Sequence, residues 1–378
     1  MPSRSPKSTH RSNTDQSSYR SRIGRVRRRL GEIGCAALLV TNPKDVAYLT
    51  GFLGGDSYLL VGATRSVLVS DFRYAEEVRV VEGIAEVFMR KGPLLDAATE
   101  VVRSALSKSD PLAVQDEHVT VAQRRSMGRA LKGRRVVGTN GLVSGLRMRK
   151  DASEVAHIRR AIRIGEAALS DVLEELKPGM TELEIAGRLE WEMKRRGSVT
   201  PSFSSIVCAR TNGSRPHHRP GTTRAGANSS VLIDWGAMWE GYHGDMTRTI
   251  ALGRWPSELR DVYGLVRDAH EAAAAALAPG RTTVEIDAAA RDVITGAGYG
   301  ERFGHGLGHG IGLDIHESPM LSSVLPAFRL EAGHVVTIEP GVYLPGVGGV
   351  RIENDYLITE RGAENLCRLP TSLEWATR

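Results

Sequence analysis

Two segments of this chain, about a hundred residues apart, follow one unusual plan. Val231-Leu232-Ile233-Asp234-Trp235-Gly236 is an apolar run that ends in a carboxylate and a glycine turn, and Asp245 follows eleven residues after Asp234. Val335-Val336-Thr337-Ile338-Glu339-Pro340-Gly341 repeats the plan, with Glu353 fourteen residues after Glu339. Each reads as a strand, a turn and a returning strand that bears a second acid. A carboxylate ending an apolar strand is costly to desolvate unless something neutralises it. A cap or an ion pair explains one such residue. Four of them, in two matching hairpins, are most simply explained by hard divalent cations held by oxygen. Strand alternation places Asp245, Thr247 and Thr249 on one face, and Arg351 with Glu353 on another. The pattern predicts a domain of two related halves with a metal site between them.

Between the hairpins lie His305, His309 and His316, three histidines in twelve residues, among Gly304, Gly306, Gly308, Gly310 and Gly312. Glycine at this density frees the backbone to wrap closely round a centre. Each histidine alone reads as structural; beside four carboxylates, at least one is expected to ligate metal. Arg215-Pro216-His217-His218-Arg219-Pro220 sets two more histidines in a stiff loop, where an ordinary surface loop is the plain alternative. His10, His118, His157, His270 and His334 read as structural, and His243, close to Asp245, is left open.

The remaining pattern divides the chain into a basic tail over residues 1–18, an α/β domain over 19–145 and a second domain over 146–378, with 146–151 as the joining segment. In the first domain a helix is expected from Tyr19, with Ile23, Val26, Leu30 and Ile33 inward and its arginines on a solvated face. Short strands are expected at 36–40, 58–61, 67–69, 112–115 and near Val136, with helices at 74–81, 94–106 and from Thr120. In the second, helices are expected at 154–176, 181–197, 257–277 and 284–295, Thr181 and Glu184 forming a capping box.

The net charge of +6 needs locating. Residues 1–30 hold Arg4, Lys7, Arg11, Arg20, Arg22, Arg25, Arg27, Arg28 and Arg29 against Asp15 alone, so the remainder is slightly acidic. Charge gathered at one end argues against a nucleic-acid surface, which spreads it over a folded face. Residues 1–20 have no apolar stretch, as expected of a disordered leader rather than a secretory signal; an organelle transit peptide has a similar composition. Cys35, Cys208 and Cys367 are odd in number and unpaired in spacing, which fits reduced thiols and a cytoplasmic location. No apolar run reaches membrane-spanning length.

The motifs as a set resemble the "pita-bread" metallopeptidases, in the branch of Xaa-Pro aminopeptidases and Xaa-Pro dipeptidases (prolidases). The matching text is Pro216-His217-His218, Leu232-Ile233-Asp234-Trp235-Gly236, Gly244-Asp245-Met246-Thr247-Arg248-Thr249, the segment 305–317, Ile338-Glu339-Pro340-Gly341 and Arg351-Ile352-Glu353-Asn354. The resemblance implies a creatinase-like α/β N-terminal domain followed by an α+β catalytic domain of two pseudo-symmetric halves. It implies metal ligation by Asp234, Asp245, His309, Glu339 and Glu353, with Asp245 and Glu353 bridging two ions. His217, His305, His316 and Arg351 match positions that handle substrate or stand behind the ligands. Departures are Ala209-Arg210-Thr211, where a glycine is common before the asparagine, and His243, where a small residue is usual. Both bear on the shape of the subsites.

The expected activity is hydrolysis of the bond between an N-terminal residue and proline, in a peptide or a dipeptide, by a hydroxide shared between two divalent ions. Mn²⁺ suits the oxygen-rich set, with Co²⁺, Zn²⁺ and Fe²⁺ as alternatives. Glu339 is the candidate proton carrier to the leaving nitrogen, and His305 or His316 the donor to the tetrahedral intermediate. A homodimer is expected from the resemblance. The competing readings are a creatinase-like C–N hydrolase or lyase and a non-catalytic binding module on the same fold. The module predicts decayed ligands, and all five are present.

Overall fold

The computed structural model describes residues 13–378, apart from the side chains of residues 13–15. Most of the tail expected over residues 1–18 lies outside that range, but residues 13–18 are already helical. Two compact units divide between Arg147 and Met148.

The first unit runs α1 (Asn13–Glu32), β1 (Ala37–Val40), α2 (Pro43–Thr50), β2 (Tyr58–Gly62), β3 (Ser66–Ser70), β4 (Glu86–Met89), α3 (Leu94–Ala105), β5 (Leu112–Gln115), α4 (Val121–Ala130), β6 (Val136–Thr139) and α5 (Ser144–Arg147). Its strands form one mixed sheet in the order β4-β3-β2-β1-β5-β6. β1 and β5 are buried throughout, as strands covered on both faces must be. Ala97, Ala98, Val101 and Val102 of α3 pack with Leu39, Leu60, Val69 and Val114, while α1 and α2 lie against β1 and β2.

Two expectations are corrected by the structure, and one helix falls where none was expected. The helix expected at 74–81 is two short 3₁₀ turns, Phe72–Tyr74 and Glu77–Val81, of which the second buries only Val78 and Val81. α2 escapes the sequence pattern because Asp45 through Thr50 are all buried, leaving no polar stripe to mark a helix. Its ends are nonetheless well signalled: Asn42 caps the Lys44 N–H, and Gly51 closes the helix at φ 72°. The arginines of α1 are not simply a solvated face. Arg22 is 2% exposed, stacks over Tyr19 and Tyr48 and donates to Tyr48 O at 2.9 Å. Arg27 donates to Gly62 O, and Arg29 to the carbonyls of Gly141 and Leu142. Long apolar stems cover the sheet while the guanidinium groups satisfy carbonyls at its turns.

The second unit contains α6 (Ala152–Glu175), α7 (Glu182–Arg195), β7 (Ile206–Ala209), β8 (Ser229–Trp235), β9 (Met238–Trp239), β10 (Tyr242–His243) and β11 (Met246–Leu252). There follow α8 (Ser257–Ala276), α9 (Thr283–Gly296), β12 (Gly308–Gly310), β13 (Glu317–Leu321), β14 (Val335–Ile338), β15 (Gly341–Leu344), β16 (Gly348–Arg351), β17 (Asn354–Ile358) and β18 (Ala363–Asn365). Two helices then three antiparallel strands, β11-β8-β7, make the first half; two helices then β17-β14-β12 at the heart of a five-stranded sheet make the second. Each outer strand pair encloses a small inner hairpin, β9–β10 in one half and β15–β16 in the other.

The duplication reaches further than the hairpins. Pro178-Gly179-Met180-Thr181 and Pro279-Gly280-Arg281-Thr282 both lead to a glutamate that closes a capping box, Glu184 for α7 and Glu285 for α9. Both glycines are left-handed, φ 98° and 87°, and the two threonines bridge to Arg224 and Arg329. The halves meet at Thr247, which pairs with Asp234 within its own sheet and bridges to Glu353 of the other.

Arg210 holds a conformation, φ 57°, that suits glycine. A left-handed non-glycine residue costs about 1–2 kcal/mol, against about 0.5–1 kcal/mol of extra chain entropy for glycine. Its side chain is exposed, so little packing is at stake. Arg210→Gly is therefore expected to raise the melting temperature by about 1–3 °C, read by calorimetry; a fall would show that the guanidinium stacked near Gly226 matters more than backbone strain.

Candidate metal centre

The strand ends deliver four acids to one point. Asp234 lies near the end of β8, Asp245 just before β11, Glu339 just after β14 and Glu353 just before β17. His309, the middle of β12, joins them. Ligand atoms of Asp234, Asp245 and Glu353 lie within 4.8 Å of one another, as do those of His309, Glu339 and Glu353. These two groups share Glu353 and contain the five residues singled out in the sequence. A third group, Asp245, His309 and His316, adds a histidine that the sequence placed among the catalytic groups rather than the ligands.

The electrostatics of the cluster are unfavourable as the protein stands. Burial, reinforced by the charges of Glu353 and Asp234, drives the Asp245 carboxyl well above the usual range. Burial, with Glu339 and Asp234, does the same to Glu353. Glu339 is pushed up to about 8 by burial, against the pull of Arg351. Asp234 also rises through burial, checked by Arg351. The buried Oδ1 atoms of Asp234 and Asp245 have no hydrogen-bond partner.

His309 adds to the conflict. Its Nδ1–H donates to Gly310 O at 3.0 Å, which leaves the Nε2 lone pair facing Asp245 at 3.6 Å and Glu339 at 3.5 Å. Burial and His316 lower its pKa to about 3, so the ring is neutral. A lone pair aimed at two carboxylates is repulsive unless protons or cations intervene. Oxygen-rich donors with one imidazole fit divalent cations, and a hydrogen-bonded Nδ1 is how metal-binding histidines are commonly oriented.

Other residues hold these side chains in place. Arg351, buried in β16, donates from NH2 to Asp234 at 2.6 Å, from Nε to Thr247 Oγ1 at 3.1 Å and from NH1 to Tyr343 OH at 2.7 Å. Thr247 in turn donates to Glu353 Oε2 at 2.6 Å. His305 is engaged at both nitrogens: Nδ1–H donates to Gly306 O, so Tyr343 OH donates to Nε2 at 2.9 Å. Burial and Arg351 hold His305 neutral, near pKa 4. His217 and His316 are exposed at the rim, and His218 turns away to Glu182.

Several supports, Arg248 apart, carry no sequence signature. Buried Glu182 accepts from Ala209 N, Asn212, His218 and Gly221 N, fastening the loop that bears His217. Buried Arg248 donates to the carbonyls of Thr247 and Glu353 from behind the metal site. Asp355 accepts from Asp245 N at 3.0 Å. Asp287 and Arg291 on α9 hold Leu307 N and His305 O. Gly308 is required for close approach, since a Cβ there would strike Thr337 O. A cavity of about 430 Å³ opens over the cluster, walled on its apolar side by Phe203, Ile206, Ile315 and Met320.

An acid-rich, imidazole-completed cluster beneath an open cavity is the arrangement of a metallohydrolase. The family model for metallopeptidase family M24 matches residues 156–360, and that for the creatinase/prolidase N-terminal domain matches residues 22–149. The chain belongs to metallopeptidase family M24, as the motif resemblance implied. An uncharacterised peptidase of Bacillus subtilis, YqhT, is 34% identical over 93% of this chain and 99% of its own length. Among solved structures, a Xaa-Pro dipeptidase from Bacillus anthracis is 34% identical with a TM-score of 0.89, covering 94% of this chain and 99% of its own. An X-Pro aminopeptidase from Thermotoga maritima is 33% identical with a TM-score of 0.85, covering 91% and 99%. The creatinase-like α/β domain and the two-halved catalytic domain are thereby established, and membership implies that divalent metal ions serve the activity.

Proposed function

We propose that this chain is an exopeptidase specific for an N-terminal residue followed by proline, with two divalent ions held by Asp234, Asp245, His309, Glu339 and Glu353. The observation that carries this reading is the His309 Nε2 lone pair facing two carboxylates, beside two unpartnered buried carboxylate oxygens. Similarity to both Xaa-Pro dipeptidases and an X-Pro aminopeptidase supports the proline specificity. The ions supply the charge that activates water near neutral pH and polarises the scissile carbonyl.

The chain's own residues do the rest. Glu339, at the edge of the cavity, carries a proton to the leaving nitrogen. His316, at the rim and with no hydrogen bond to its ring among the described residues, donates to the oxygen of the tetrahedral intermediate; the full engagement of His305 favours His316 over it. Arg351 holds Asp234 and Thr247 rather than substrate. An amide before proline has no N–H to offer and a fixed φ, so shape has to recognise it. Phe203, Ile206, Ile315 and Met320 offer an apolar seat for the pyrrolidine ring in a cavity that His217 also lines.

Manganese as the ion, a homodimer and a cytoplasmic location complete the reading. The single imidazole among oxygens supports the first, the exposed edge strand β4 with Val87 and Met89 the second, and the three unpaired, buried cysteines the third. None of the helices among the described residues is long and apolar enough to cross a membrane. The test is Mn²⁺-dependent cleavage of Gly-Pro against Xaa-Pro-Yaa peptides. Cleavage of the first alone marks a dipeptidase, and release of Xaa from the second an aminopeptidase. If neither is cut while Xaa-Ala analogues are, the proline assignment fails.

A further inference from the structure

Lys150 lies in the stretch that the sequence marks only as a joining segment, yet its side chain is 0% exposed. A buried ammonium needs a partner. Nζ donates to Glu317 Oε1 at 2.6 Å and to Met148 O at 3.3 Å. The lysine's own backbone is fixed as well, its N–H donating to Gly333 O at 2.8 Å. Glu317 follows His316 directly and opens β13, pairing with Gly310 next to His309.

The glycine-rich loop closes over this ion pair. A Cβ on Gly312 would come 2.5 Å from Glu317 Oε1 and 3.1 Å from Lys150 Cε, so the backbone passes over the pair with no room for a side chain. The same loop is tied at Ile311 N to Val335 O and at Gly312 O to His243 N. His316, by contrast, has no hydrogen bond to its ring among the described residues; the imidazole rests edge-on against His309 with centroids 4.2 Å apart. Its placement therefore depends on the backbone at 316–317, which the buried pair anchors.

We propose that Lys150 and Glu317 are positioning residues that aim the His316 imidazole over the metal cluster. The inference rests on the reading of His316 as the donor to the reacting carbonyl oxygen. Misplacement of a catalytic group by about 1 Å costs about 100-fold in rate. Lys150→Met is expected to lower kcat on a cleaved Xaa-Pro substrate about that much, with KM changed less than about threefold and metal stoichiometry intact.

A merely structural role would be additive with loss of the histidine. The Lys150→Met/His316→Ala double variant is instead expected to be no slower than His316→Ala alone. Glu317→Gln, which keeps an oxygen for Nζ, provides a milder variant if Lys150→Met does not fold, and the same cycle applies to it. The ring signals of His316 in ¹³C-histidine-labelled, zinc-loaded protein give a readout independent of activity: each variant is expected to shift and broaden them while those of His270 stay put. Additive losses, or unchanged His316 signals, overturn the proposal. Absence of wild-type cleavage would defeat the peptidase reading alone, leaving the ring signals to decide the clamp.

Discussion

Asp245→Ala is expected to lower kcat/KM by about 10⁴-fold or more, with metal content falling below two ions per chain. Asp245 belongs to two of the three ligand groups, and its Oδ1 is buried with nothing to accept from. No neighbour can replace it: Asp234 is held by Arg351, and Asp355 faces the Asp245 backbone rather than its side chain. The fold is expected to survive, because the substitution removes a buried carboxyl whose ionisation is opposed by burial and by its acidic neighbours. Elemental analysis of the purified variant beside peptide assays checks both halves of the claim. Two ions per chain with full activity would end the metal assignment.

The second large effect concerns the metal-free protein and pH. Glu339 titrates near 8 in the fold, and Asp245 and Glu353 are raised well above the usual range, chiefly by burial. A carboxyl with a raised folded pKa keeps its proton in the native state after the unfolded chain has lost it, so its stabilising contribution fades as pH rises through the folded value. Buried neutral histidines act oppositely and at lower pH. His270, held near 3 by burial, and His334, near 4, must stay uncharged, so they weaken the fold as pH drops below about 6.5. The EDTA-treated protein is therefore expected to melt highest near pH 6.5 and progressively lower toward pH 9.

Divalent ions reverse the upper limb, since cations replace the protons. At a hundredfold excess over Kd a single site adds about 2.7 kcal/mol, roughly 5–10 °C for a unit of this size. The gain from Mn²⁺ is expected to be larger at pH 8 than at pH 6, with protons released on binding and visible as a buffer-dependent heat. A metal-free melting curve that rises steadily from pH 6.5 to 9 would refute the protonated cluster.

What the sequence reveals follows from physics that is local along the chain. The four acids are legible because each belongs to a strand hairpin where its company looks wrong for packing, whereas the glycine-rich run marks three histidines alike and only the family resemblance singles out His309. Strand bounds such as Leu112–Gln115 and helices such as α8 follow from alternation and periodicity. Lys150 and Glu317 are not legible, because residues 167 positions apart leave no spacing to read. Glu182 looks like a surface charge until the fold encloses it. The arginines of α1 mislead for a related reason: charge in sequence does not say whether a guanidinium meets water or a carbonyl. α2 shows the opposite failure, a helix hidden because every side it presents is covered.

Thr247 gives the centre one further property. Through it, Asp234 of one half and Glu353 of the other are held by a single residue at the seam, and the neighbouring Arg248 donates to the carbonyls of Thr247 and Glu353 across the same seam. Each half contributes two of the acids. Ions seated there would rivet one repeat to its twin, so the proposed chemistry and the mutual grip of the halves would draw on the same cations.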